Sequence, residues 1–406
     1  MLPQPGPIRA LTFALLPRSL GRGLFMTVSV IYFSRSVGLS AAEVGLGLSI
    51  AAVVGLSAGL PAGRLCDVVG ARTMAFATSV LTGVLLLGYA FVTGFTGFVV
   101  VASLVGFAEA AEITSRSTLV GSAVPAEERV SARAYLRVVT NVGWAVGGLA
   151  ATAALAVDTR PAYLIMVYGA AAGYLLGAVL ILRVPKAAPA LRTAERTGPK
   201  WAVLRDRPYA VLTLLNAVLF VQHGMLQVAV PLWIDHIGAP VVMVAVINFI
   251  NTAACILLQV RFSRGSNTIA GAARAQRWAG IYLTGACVLF ALAAGASGWL
   301  VIGVLALGGV SHVFGELTQS AGSWGLSYEL APDDALGQYQ GMYGTGQQLG
   351  TVAAPALLST VLIAWGWPGW LLFGAVFLLA GLAVPPVARW AARTRPEPAV
   401  TAAAKL

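Results

Sequence analysis

Charge is scarce in this 406-residue chain: Asp, Glu, Lys and Arg together make up 10% of it, against about 25% in soluble domains. Too few ionic groups are present to coat a water-facing surface, which excludes an ordinary soluble enzyme or binding module. Cysteine is scarcer still. Cys66, Cys255 and Cys287 show no spacing suited to a disulfide framework or a zinc site, so free thiols are expected. A phosphate-binding G-x-x-x-x-G-K-[ST] run is missing, as are a metal-ligand cluster and a nucleophile–base motif in a soluble domain. No built-in ATPase, metal, cofactor or enzymatic activity is therefore expected, and any work must be driven by a gradient.

Hydrophobic residues fill the space, at 58% of the chain. Apolar runs long enough to cross a bilayer recur along the whole length, at about 10–33, 43–65, 73–93, 97–124, 134–157, 162–183, 208–234, 240–260, 277–296, 299–325, 339–364 and 369–388. The first run ends without a cleavage-site pattern and reads as a retained helix. A net charge of +11 raises the idea of nucleic acid, but its placement argues otherwise. With both termini in the cytoplasm, only Arg35 and Arg160 fall outside and Arg18, Arg22 and Arg116 fall deep in spans; the other bases lie at or near the inner side. The excess is thus a topology signal, aided by anionic lipid, and nucleic acid is not an expected partner. Abundant Ala, Gly and Arg fit a bacterium, so the expected location is the bacterial inner (cytoplasmic) membrane. The longest inner connection carries Lys186, Arg192, Arg196, Lys200, Arg205 and Arg207. It divides the chain into an N-terminal bundle (1–184), a cytoplasmic linker (185–207), a C-terminal bundle (208–390) and a cytoplasmic tail (391–406).

The halves repeat one another. At an offset of 200, Ile31 to Gly38 lies over Pro231 to Gly238. At an offset of 207, Pro125-Ala126-Glu127-Glu128 lies over Pro332-Asp333-Asp334-Ala335, and Glu109, Asn141 and Gly143 lie over Glu316, Gln348 and Gly350. Both halves start on the same side, so the repeat is parallel, an arrangement that holds solute at mid-depth between the halves.

After the second span, Gly63-Arg64-Leu65-Cys66-Asp67-Val68-Val69-Gly70-Ala71-Arg72 resembles the G-x-L-x-D-x-x-G-x-R signature of the major facilitator superfamily. The glycines permit a tight turn and close helix approach. Asp67 can cap a helix start, and Arg72 can reach a carboxylate or carbonyls. The bland reading is an ordinary short loop. The equivalent loop of the second half, Ser263-Arg264-Gly265-Ser266-Asn267, has no acid. In span five, Gly143-Trp144-Ala145-Val146-Gly147-Gly148 resembles the G-P-x-x-G-G motif of drug–proton antiporters of that superfamily, with Trp144 where the motif has proline. A generic small-residue packing face explains the same pattern. The resemblance covers nearly the whole chain. It implies an all-α integral membrane protein of twelve transmembrane helices in two pseudo-symmetric six-helix bundles, the major facilitator fold, which rock about a central site. It also implies that Gly63, Asp67, Gly70, Arg72, Gly143, Gly147 and Gly148 serve the conformational switch.

Carboxylates inside spans are the main candidates for chemistry, because a charge at bilayer depth costs roughly 2.5–3.5 kcal/mol on insertion scales. Span four carries Glu109, Glu112 and Arg116 at i, i+3 and i+7, hence on one face. Glu112 and Arg116 can pair as a structural strut; Glu109 has no base at i±3 or i±4. In span one, Arg18 is expected to snorkel toward the cytoplasm and Arg22 to meet the cavity or an acid of another span. Span ten carries His312, Glu316, Gln319 and Ser323 on one face, with His312 either a simple donor to Glu316 or a proton relay. Polar stripes on span seven (Asn216, Gln222, His223, Gln227), span eight (Asn248, Asn251) and span eleven (Tyr339, Tyr343, Gln347) read as a wet cavity or, singly, as helix glue.

The function expected is proton-coupled efflux of small amphipathic, drug-like compounds or secondary metabolites by alternating access. Glu109 and Glu316 would be protonated, with Glu112 and His312 assisting. Arg22, Arg116 and the polar stripes would line the substrate cavity. The partners are a small-molecule substrate, protons and the lipid bilayer, and the expected state is a monomer. Sugars, peptides or organic acids suit the same fold; a non-transporting receptor or scaffold is the alternative of another class.

Overall fold

The computed structural model describes residues 5–185 and 201–395, which form twelve long helical stretches, with short turns between neighbours inside each described segment and no strand among the described residues. These are α1 (Pro7–Ile31, extended by a π-helical turn at Tyr32–Ser36), α2 (Ala41–Leu56 and, after a 42° bend, Gly59–Val69), α3 (Ala71–Phe91), α4 (Phe95–Ala123), α5 (Arg129–Val157) and α6 (Arg160–Ile181). Then come α7 (Arg207–His236), α8 (Val242–Phe262), α9 (Ile269–Gly295), α10 (Trp299–Glu329), α11 (Leu336–Trp365) and α12 (Trp367–Arg393). Each expected span has its helix. Nine of the described helices are individually long and apolar enough to cross a membrane, and the bent α2 makes a tenth. Most of the expected linker (186–200) and the end of the tail (396–406) lie outside the described residues.

Local chemistry sets the boundaries. Ser40 and Glu43 form a reciprocal capping box at the start of α2, the serine accepting from the Glu43 amide and the glutamate from the Ser40 amide. Asp206 caps α7 by accepting from the Tyr209 amide and is held by Arg395 at 2.6 Å. Gly38 and Gly238, which coincide in the repeat, both adopt positive φ (83° and 64°), where a side chain would be strained.

The chain clusters into two compact units. One holds α1–α6 together with residues Thr252–Arg261 of α8 and Asp333–Ala353, which open α11; the other holds α7, α9, α10, α12 and the rest of α8 and α11. Within the first, α1 packs on α5 and α6, and α3 on α4 and α6; within the second, α7 packs on α12, and α9 on α10 and α12. The α1–α6, α3–α4 and α3–α6 contacts thus recur as α7–α12, α9–α10 and α9–α12.

Aromatic clusters repeat as well. Tyr32 donates to the Tyr89 carbonyl at 3.0 Å beside Tyr163, while Trp233 donates to the Phe290 carbonyl at 2.7 Å beside Trp370. An offset of 201 relates both donor and acceptor, and 207 relates Tyr163 to Trp370. Tyr32 and Trp233 thereby keep their polar atoms satisfied inside the bundle.

Lipid tails are as apolar as leucine, so contact between spans depends on close packing of small residues. The seam around α1 is built that way. A Cβ at Gly21 would sit 2.8 Å from the Ala170 carbonyl oxygen of α6, one at Gly143 of α5 would sit 2.6 Å from the Ser19 Cβ, and one at Gly147 would strike the Leu20 carbonyl oxygen. Gly148 has more room, 3.1 Å from the Thr27 hydroxyl. The Gly143–Gly148 run is therefore the surface on which α1 and α5 meet.

Candidate functional site

Five ionic side chains on α1 and α4 form a ladder inside the first unit. Arg18 meets Glu112 at 2.8 Å, and Arg22 meets Glu109 at 2.6 Å. Spacing of four on α1 and three on α4 puts both rungs on facing surfaces, and the pairs run in opposite chain directions. Arg116 continues the α4 stripe, reaching Glu112 at 3.3 Å. Arg18 does not snorkel as expected. It is buried (4% exposed), because a carboxylate on the neighbouring helix is a better partner than a distant water layer.

Tyr174 of α6, which the sequence reading passed over, touches both rungs. Its hydroxyl donates to Glu109 at 2.8 Å, and the Arg18 guanidinium lies 5.0 Å from its ring centroid. A buried tyrosine needs a partner for its hydroxyl, and Tyr174 stands in a stretch of Gly and Ala, the one signal that marks it out. Trp144, at the proline position of the span-five motif, carries Arg22 at 5.7 Å from its ring centroid. The two rungs differ in access. The Arg22 and Glu109 side chains are 22% and 23% exposed, whereas Arg18 and Glu112 are 5% and 2% exposed.

In the second unit, Glu316 of α10 accepts from the Asn251 amide of α8 at 2.7 Å, and its other oxygen lies 3.8 Å from His223 Nε2 of α7. His223 Nδ1 faces the Gln222 side-chain amide at 2.8 Å, and its ring stacks on Phe220. His312, on the same helix as Glu316, makes its hydrogen-bond contact elsewhere. Fully buried, its Nε2 faces the Gln222 backbone carbonyl at 3.1 Å, so the histidine beside Glu316 is His223.

Glu112 coincides with Gln319 at the 207 offset. Gln319 donates to Asn216 at 2.9 Å, and Gln276 of α9 donates to the same oxygen at 3.1 Å. An amide network thus stands where the first unit has charges. It is sealed, with Asn216 and Gln319 at 1% and 0% exposure, which takes both out of the wet stripe expected of them. Gln222, Tyr339 and Tyr343 are buried too, Gln347 and Asn251 are half-buried, and Gln227 and Asn248 are exposed. Asn248 donates to its own helix at the Val244 carbonyl, 2.9 Å away.

The loop motif has two anchors. Asp67 accepts from the Gly337 and Gln338 amides at 2.6 and 3.1 Å, capping the first turn of α11. Gly63 packs so tightly there that a Cβ would collide with the Gly337 carbonyl oxygen. Gly70 turns the chain at φ 94°, and Arg72 donates to the Leu182 carbonyl at the end of α6.

A family model described as Major Facilitator Superfamily matches residues 11–355. The chain belongs to that superfamily. Solved structures share its fold. A bacterial homologue of the iron transporter ferroportin, in an outward-facing state, is 14% identical with a TM-score of 0.70, covering 95% of this chain and 99% of that one. The human organic anion transporter MFSD10 (TETRAN) is 15% identical with a TM-score of 0.68, at 93% and 98% coverage. The proton:xylose symporter XylE, bound to 6-bromo-6-deoxy-D-glucose, is 14% identical with a TM-score of 0.68, at 93% and 94% coverage. No curated protein matches the sequence. The protein is a multi-pass membrane protein with the major facilitator fold, twelve transmembrane helices in two pseudo-symmetric six-helix halves, and the fold is one of secondary transporters.

Proposed function

We propose that this superfamily member is a proton-coupled exporter of small amphipathic compounds, drug-like molecules or secondary metabolites. It works as a monomer in the inner membrane of a bacterium, with both termini in the cytoplasm, and its two six-helix halves expose a central site to each side in turn. The observation that carries proton coupling is the Glu316–His223 pair at 3.8 Å, two titratable groups inside apolar helices with Asn251 orienting the carboxylate. Imidazole titrates near neutrality and can exchange a proton with a neighbouring acid under cellular conditions. Glu109, its repeat counterpart, is held by Arg22 yet remains accessible, so solute can compete for that guanidinium. Asp67 on the α11 helix start supports a latch that must release during the cycle. Outward direction rests on the likeness of Gly143–Gly148 to the antiporter motif.

Purified protein in liposomes tests this reading. Flux of a compound panel is measured with and without an imposed pH difference. Acceleration by the gradient, lost in Glu316→Gln while solute exchange at equal pH persists, is the expected result. Flux indifferent to the gradient would rule out proton coupling.

A further inference from the structure

The α1–α4 ladder does not balance. Three guanidiniums, Arg18, Arg22 and Arg116, face two carboxylates, Glu109 and Glu112. Each of the first two has its own acid at 2.6–2.8 Å, whereas Arg116 shares Glu112 with Arg18 at a longer 3.3 Å. The geometry shows why. Successive rungs pair Arg22 with Glu109 and Arg18 with Glu112; continuing that register by one rung sets Arg116 level with Ala14 or Leu15, whose side chains cannot accept a hydrogen bond. Arg133 of α5, which donates to Ser117 at 2.9 Å, adds another positive charge beside it. Arg116 is 22% exposed, with guanidinium N–H groups that one long contact to Glu112 leaves free to donate. An excess charge inside an apolar span is retained only with a counter-charge or a task.

We propose that Arg116 is the recognition point for an anionic group, a carboxylate, sulfonate or phosphate, on the transported solute. The planar fork of its guanidinium suits such groups in bidentate fashion. Trp144, 40% exposed and stacked with Arg22, offers an aromatic surface at the level of Glu109, roughly 10 Å along α4 from Arg116 at 1.5 Å per residue. The ligand so defined is an aromatic or amphipathic acid. This assignment rests on the transport reading and names its substrate class.

The test uses the full-length protein in detergent and matched probes on benzene, naphthalene and indole rings, each as carboxylate, neutral amide and ammonium. Thermal stabilisation is read for wild type, Arg116→Gln and Arg116→Lys. Either variant leaves Glu112 paired with Arg18, so the fold is retained. The expected result is stabilisation by carboxylates, with apparent affinity at least tenfold weaker in Arg116→Gln and partly kept in Arg116→Lys. Stabilisation chiefly by amides or ammonium probes, no stabilisation by any acid, or acid binding unchanged in Arg116→Gln would overturn it. Phosphatidylglycerol against phosphatidylcholine in nanodiscs distinguishes a lipid source, and an Arg116-dependent response to the lipid alone also overturns the assignment. Flux of the same probes in liposomes separates the two readings: transport of ammonium probes alone defeats the anion assignment, whereas acids that bind without being carried defeat the transport reading.

Discussion

Buried ions in this protein come with a built-in control, because the second half solves the same packing problem without charge. Arg18 and Glu112 are almost fully buried, and a buried pair is a weak source of net stability, since desolvation consumes most of the Coulomb gain. Losing one partner is another matter, because the survivor is then an unpaired ion in an apolar interior. Arg18→Asn or Glu112→Gln alone should therefore destabilise the protein by about 3–5 kcal/mol. The double variant copies the Asn216–Gln319 arrangement and should recover most of that loss. Thermal unfolding in detergent across the four proteins gives the coupling energy directly. Additive losses would mean that the two side chains do not act as a pair.

At the scale of the helix, backbone proximity governs what can change. Gly147→Ala places a methyl against the Leu20 carbonyl in the α1–α5 seam and should cost about 1–3 kcal/mol by overpacking. Gly45→Ala in α2 meets nothing within 4 Å and should be neutral or better. Equal melting temperatures for the two variants would show that the seam is looser than its glycines imply. Asp67→Ala strips the cap from α11, which should cost about 0.5–2 kcal/mol and alter the transport rate more than solute affinity, as flux and binding measured side by side would reveal. Helices were also the level at which the sequence could be read best. Twelve spans, the 207 offset and the shared face of Glu109, Glu112 and Arg116 all follow from periodicity along one chain. Partners across helices did not. Tyr174 reaches Glu109 through the register of α6 against α4, which no local spacing encodes. Spacing of i+4 places His312 on the face of Glu316. Its ring instead faces the Gln222 carbonyl, where α7 departs from regular α-helical hydrogen bonding and the Met225 amide reaches back only three residues to the same oxygen. Such an irregular stretch is a tertiary outcome that the sequence of α10 cannot announce.

Across the whole molecule, the two halves keep a common scaffold and diverge in chemistry. Glu109 and Glu316 coincide in the repeat, yet one lies in an arginine-rich ladder and the other beside an imidazole and an amide. The guanidinium beside Glu109 keeps its charge at every physiological pH. A carboxylate near a histidine has a neighbour whose charge changes between about pH 5 and 8. On the proposed reading, this division would give solute binding to the first half and proton handling to the second. It also separates half-buried His223 from fully buried His312. His223→Gln should remove or shift the pH dependence of flux, since the titrating neighbour of Glu316 is gone while a polar group of similar reach remains. His312→Gln should leave the pH profile in place, because its Nε2 faces a backbone carbonyl and the 3.8 Å contact to Glu316 is made by His223. Flux at pH 5.5, 6.5 and 7.5 for both variants, with expression and melting temperature as controls, decides the matter. A flattened profile for His312→Gln beside an unchanged one for His223→Gln would reverse the assignment and restore the relay that i+4 spacing first implied.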